Sequence, residues 1–231
     1  MNYYGTEKHL EDMKKLDGQI FSKISFDEPE REKELEQGYL VRYYYYADEA
    51  GCEPGHAPVD GEICRLIKGG RVVFEWKNTD GNSRVADIIH HSDGHTYFIF
   101  DEDLYGYSVL DLDSLQSMHY IPAESHGRYP EEFKETFIWC NCFYNPENDL
   151  LAVDGCFWAC PGDVIVLDFS DPMTAVEAED WHSLYDRCGR DYPDLDDIEF
   201  DGWDGDTLAC RAIGADLPAF ELENICRVKF V

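Results

Sequence analysis

ICRLIKGGRVVFEWK, residues 63–77, is the stretch whose reading decides the fold. Ile63–Lys68 and Val72–Lys77 carry β-branched and aromatic side chains at Ile63, Ile67, Val72, Val73, Phe74 and Trp76, which suit a pleated surface. Between them, Gly69-Gly70 supplies the positive φ that a tight hairpin turn needs. The segment reads as two antiparallel strands.

The same grammar extends outward. Tyr39–Ala47 (YLVRYYYYA) is a strand, followed by a Pro- and Gly-bearing loop from Asp48 to Gly61. Val85–His90 and Thr96–Asp101 flank the turn Ser92-Asp93-Gly94, and Tyr107–Leu112 follows. Beyond a charged loop or helical turn at Glu124–Glu135, strands are expected at Phe137–Tyr144, Leu150–Asp154, Asp163–Phe169, Thr207–Ile213 and Ile225–Val231. Helical patterns are few. Thr6–Leu16 has a Thr cap and apolar spacing at Leu10, Met13 and Leu16. Asp27–Gln37 is a charged helix candidate with Pro29 in its first turn and Gly38 beyond its end, and Ala175–Tyr185 is a third. The expectation is one domain, 1–231, with a helical N-terminal segment (1–38) and a β-rich body (39–231). Its class is mostly β, with antiparallel sheets arranged as a propeller or a sandwich and one or two short N-terminal helices.

Composition narrows the function. The 231 residues include 49 acidic and 19 basic side chains, for a formal net charge of −30, yet 44% are hydrophobic and 14% aromatic. That is enough apolar material for a packed core. The charge disfavours nucleic acid and anionic membranes, so the expected partner is a basic protein, with no direct nucleic-acid or membrane contact. Solubility alone is the plainer explanation of the same charge. The start MNYYGTEKHLEDMKK has no basic stretch followed by an apolar run, and no uncharged stretch approaches the ~20 residues of a membrane helix. A cytoplasmic location with the nine cysteines reduced is the expectation.

Three constellations bear chemistry. Cys140-Asn141-Cys142 and Cys156-Phe157-Trp158-Ala159-Cys160 lie on neighbouring expected strands, where four thiols can converge on zinc. Strand alternation also places Cys140 and Cys142 on one face, where reduced thiols pack well, and that reading needs no cofactor. His90, His91 and His95 surround a hairpin turn, across which His90 and His95 can face each other. The loop DYPDLDDIEFDGWDGD, residues 191–206, carries Asp194, Asp196, Asp197, Asp201, Asp204 and Asp206 around Trp203, without one base. Asp197-x-Glu199-x-Asp201-Gly202 opens like a calcium loop, but Leu208 stands where the bidentate Glu belongs. Phosphate-cradling, dinucleotide, serine-hydrolase and zinc-protease motifs are absent, and Asp101 and Asp103 are one carboxylate pair among many.

Two stretches repeat one another. Val109-Leu110-Asp111-Leu112 and Val166-Leu167-Asp168-Phe169 each close a unit that opens with a polar turn. YNPENDLLAVDGCFWACPGDVIVLDFSDP, with residues 85–115, resembles blades of WD-like β-propellers, although the Gly-His and Trp-Asp dipeptides are missing. In charge and size the chain is also similar to acidic immunity proteins of toxin systems. The functional expectation is a non-enzymatic inhibitor or immunity-type factor for a basic protein such as a nuclease. Asp194, Asp196, Asp197, Asp201, Asp204 and Asp206 would make contact, with Trp203 as anchor. An enzyme centred on the cysteines or histidines, and a β-repeat scaffold, are the alternatives.

Overall fold

A computed structural model describes residues 1–49, 52, 57–127, 132–185, 197–214 and 217–221. Helix α1 spans Glu7–Gln19, capped by Thr6, whose hydroxyl accepts from His9 N at 3.2 Å. Met13 and Leu16 of α1, with Ile20, Phe21 and Ile24 just beyond it, pack on Tyr44 and Ile63 of the first sheet.

Among the described residues, four antiparallel sheets follow in chain order. The first is β1 (Arg31–Glu34), β2 (Tyr39–Asp48), β3 (Val59–Lys68) and β4 (Arg71–Asn78). The second is β5 (Ala86–His90), β6 (Thr96–Phe100), β7 (Tyr107–Asp111) and β8 (Ser117–Tyr120). The third is β9 (Ile138–Asn145), β10 (Leu150–Cys156), β11 (Gly162–Asp168) and β12 (His182–Ser183), and the fourth is β13 (Asp197–Asp204), β14 (Thr207–Gly214) and β15 (Leu217–Glu221). Each is a meander in which every strand pairs with its sequence neighbour. The β3–β4 hairpin forms as its sequence requires, with Gly69 and Gly70 at φ 55° and 76°.

Consecutive sheets pack face to face. Val41, Tyr43, Leu66 and Trp76 meet Phe98, Phe100 and Leu110 between the first and second. Ile99, Tyr107 and Val109 meet Trp139, Leu151, Val153 and Leu167 between the second and third. Ala152, Val164 and Val166 meet Ile198, Leu208 and Cys210 between the third and fourth. Strands β6, β7, β10 and β11 are therefore covered on both faces. Their sequences TYFIF, YSVLD, LLAVDGC and GDVIVLD run continuously apolar instead of alternating for that reason. The two repeated VLD segments occupy β7 and β11, the third strands of the second and third sheets.

Two expected helices are strands and turns instead. Within 27–37, Arg31–Glu34 extends along β2 because cross-strand partners draw its side chains onto the sheet. Arg31 lies over the Tyr43 ring at 3.4 Å and donates to Ser83 O at 2.6 Å, and Glu32 accepts from Arg42 at 2.7 Å. Within 175–184 the helical content is one 3-10 turn, at Ala178–Asp180, before β12. Trp181 Nε1 takes the Val176 carbonyl, an acceptor a helix would need, at 3.1 Å, while Val176 N donates to Tyr107 Oη at 2.9 Å and Ala178 N to Tyr120 Oη at 2.8 Å, tying the segment to the second sheet. The expected strand Ile225–Val231 lies outside the described residues.

Candidate functional site: the acidic end face

The described part of the expected acidic loop, residues 197–206, is largely a strand. Residues 197–204 form β13, and a two-residue turn at Gly205-Asp206 leads into β14. Alternation then sorts the side chains. Ile198 is buried, and Phe200 turns inward to stack on Phe143 at 3.9 Å. The register shifts between Phe200 and Gly202, which restores Trp203 to the inner side. Its Nε1 donates to Phe143 O at 3.1 Å, and its ring packs on the third–fourth sheet core. Trp203 is thus half-buried, with its indole tied to the third sheet.

The outward side belongs to carboxylates. Glu199, Asp201, Asp204 and Asp206 are exposed. Arg211, opposite Glu199 in the register, lies 3.8 Å from its carboxylate and 3.6 Å from that of Asp201. Pairs this exposed contribute little stability. Asn145 Nδ2 donates to Gly205 O at 2.9 Å and ties the acidic turn to the third sheet. Asp197 is spent differently, since its Oδ1 accepts from Gly162 N at 2.5 Å. An extended strand does not wrap an ion, so the calcium-loop likeness has no counterpart in the backbone. Asp194 and Asp196 lie outside the described residues.

The cysteines divide between two environments. Cys142 packs into the second–third sheet core, where burial pushes its thiol pKa well up. A bulge opposite Asp154/Gly155 breaks the alternation, and Cys140 joins Cys156 and Cys160 around a groove between the third and fourth sheets. Burial raises the Cys140 and Cys156 thiols as well, which disfavours the reactive thiolate. Among the described residues, the donor atoms close enough to share a metal are those of His95, Asp111 and Asp113, and no cysteine set qualifies. Asp111 already accepts from Asp113 N at 2.8 Å and Ser114 Oγ at 2.8 Å, which marks it as a turn cap.

The histidine pair does not form either. The register sets His90 opposite Thr96, and His90 Nε2 reaches Glu36 at 3.3 Å, while His95 Nδ1 reaches Asp111 at 3.2 Å. His91, the third histidine of the hairpin group, is the structural member. It is buried, with Nε2 2.9 Å from Phe169 O, and it clamps the second sheet's turn to the third sheet.

No protein-family model matches the chain, and no curated protein sequence matches it significantly. Among the described residues, no helix is long and apolar enough to cross a membrane.

Proposed function

We propose that the protein is a non-enzymatic binding factor whose acidic end face covers a basic surface on another protein, as an inhibitor or immunity-type factor does. In this reading the stacked meanders act as propeller-like blades, and the last one offers its outer side to the partner. The observation that carries the reading is the unanswered charge on β13–β14. Glu199, Asp201, Asp204 and Asp206 are exposed there against Arg211 alone, on a chain of net charge −30. Charge arranged this way accelerates encounter with a basic surface.

Trp158 supplies a further, more exposed aromatic contact for the complex beside the half-buried Trp203. Trp158 is 66% exposed at the β10–β11 turn, near the edge where Gly162 meets Asp197. Affinity capture with the native chain and with an Asp201→Asn/Asp204→Asn/Asp206→Asn variant tests the assignment. A basic protein retained by the native chain, released by salt and lost from the variant supports it. Equal retention by both chains removes the end face from the account.

A further inference from the structure

The chain entering the third sheet, the β10–β11 turn and the segment before β12 enclose a groove of about 220 Å³. Phe137, Phe157, Ile165 and Trp181 build its apolar wall. Phe137 is buried, and Phe157 stands edge-on to it, with centroids 5.6 Å apart and 77° between the planes. Trp181 is half-buried and fixed twice. Its Nε1 donates to Val176 O at 3.1 Å, and its ring meets Trp139 edge-on at 5.3 Å. Two rings, Phe157 and Trp181, therefore line the groove and still reach solvent.

The rim of the groove is acidic, and two of its carboxylates are open. Glu124, Glu135 and Glu179 lie on it, and the one cation among the lining residues is Lys134. Glu135 accepts from Trp158 N of the β10–β11 turn. The carboxylates of Glu124 and Glu179 make no hydrogen bond and no ion pair among the described residues. The ammonium of Met1, close by, is taken by Glu177 at 2.6 Å. Unanswered negative charge thus stands beside aromatic rings. A cation on an apolar stem suits both, since ring faces attract cations and the stem covers apolar surface.

Size and place narrow the occupant. The groove is smaller than the ~300–1,000 Å³ of cofactor and drug-sized sites, so it takes a single long side chain. Arginine fits better than lysine, because a planar guanidinium both stacks on rings and pairs with carboxylates through several N–H groups. The groove also adjoins the acidic end face. Phe157 lines it, whereas Cys156 and Cys160 of the same turn line the neighbouring groove with Ile198, Glu199 and Phe200 of β13. The exposed Trp158 stands on the turn between the two. We infer that this groove receives an arginine side chain of a basic protein partner, with the guanidinium at Glu124 and Glu179 and the methylene stem along Phe157 and Trp181. The inference rests on the reading of the chain as a factor that covers a basic protein, and it gives that surface a second point of contact apart from β13–β14.

The probe is N-acetyl-arginine N-methylamide, with the citrulline analogue as its neutral isostere, added to the full chain and followed by the indole N–H signals in NMR. The arginine probe should saturate at about 1–10 mM, shift the Trp181 signal and leave that of Trp203 in place. The citrulline analogue should bind about tenfold more weakly or less. Glu179→Gln, at an exposed carboxylate, should weaken the arginine probe about threefold. Glu124→Gln/Glu179→Gln, checked for an unchanged urea-unfolding midpoint, should weaken it about tenfold. The Asp201→Asn/Asp204→Asn/Asp206→Asn variant should bind it as the native chain does. The inference is overturned if the probe does not saturate, if the citrulline analogue binds equally, if Trp203 responds in place of Trp181, or if both glutamine variants bind arginine undiminished. The two readings fail separately. Capture of a basic protein without binding of the probe removes the groove alone, and binding of the probe without capture supports the arginine site and counts against the end face.

Discussion

Replacing Asp101 with Asn is expected to stabilise the protein by about 3 kcal/mol near pH 7, and to make no difference near pH 4. Asp101 follows β6 and is 3% exposed, wedged between the first and second sheets. Burial pushes its carboxyl up from 3.8 to about 6, against the opposing pull of the Ser83 hydroxyl and Arg84 N–H, the latter donating at 2.8 Å. The folded pKa is raised, so between about pH 4 and 6 the folded chain holds a proton that the unfolded chain has released. Stability from this group is therefore greatest in acid and declines as the pH rises through that window. Roughly two pH units at about 1.36 kcal/mol each give the ~3 kcal/mol. Asn keeps an acceptor for Arg84 N and turns its amide to the Ser83 hydroxyl, which is free to accept. Urea unfolding followed by tryptophan fluorescence, at several pH values from about 4 to 8, yields the difference between the two proteins. Asp93, Asp103 and Asp111 have lowered pKa values and act in the opposite sense, but they are common to both proteins and cancel. A difference that stays constant across the pH range would refute the reasoning.

Phe98→Ala empties a fully buried site between the first and second sheets, where the ring stacks on Phe100 at 5.3 Å and meets Trp76 at 5.4 Å. A loss of about 3–5 kcal/mol in urea unfolding is expected, and under 1 kcal/mol would contradict the face-to-face packing. Gly106→Ala and Gly94→Ala separate strain from collision, since both glycines hold positive φ (96° and 92°) but only Gly106 would bring a Cβ to 2.2 Å from Tyr120 O. Gly94→Ala should cost about 1 kcal/mol and Gly106→Ala clearly more, on the order of 3 kcal/mol. Asn in place of Asp201, Asp204 and Asp206 should leave the unfolding midpoint nearly unchanged, within about 0.5 kcal/mol, because these side chains are exposed.

The strands were legible where burial left a mark on composition. Continuous apolar runs at β6, β7, β10 and β11 signal coverage on both faces, and the glycine turn of β3–β4 sets its own register. What escaped reading depends on partners distant in the chain. Arg31–Glu34 has helical composition but is held extended by Tyr43, Ser83 and Arg42, and in 175–185 the Trp181 indole takes the Val176 carbonyl that a helix would need. Strand β8, four residues with two only half-buried, carries no comparable run. For the candidate site, the charge of 197–206 was plain, but its side of the sheet was not. A bulge in β13 decides that Trp203 faces inward, and a bulge in β9 separates Cys140 from Cys142. Neither bulge has a local signature. The groove beside the β10–β11 turn gathers Glu124, Phe137, Phe157, Glu179 and Trp181 from segments with no motif in common, so only the folded chain assembles it.

The most direct test of the acidic end face is the association rate with the captured basic partner, measured against ionic strength for the native chain and for the Asp201→Asn/Asp204→Asn/Asp206→Asn variant. Screening acts over about 10 Å at 0.1 M salt, so steering by these carboxylates is visible as a steep salt dependence. The account requires a native rate that falls steeply with salt, and a variant rate that is lower at low salt and nearly flat. Superimposable curves for the two proteins would contradict it.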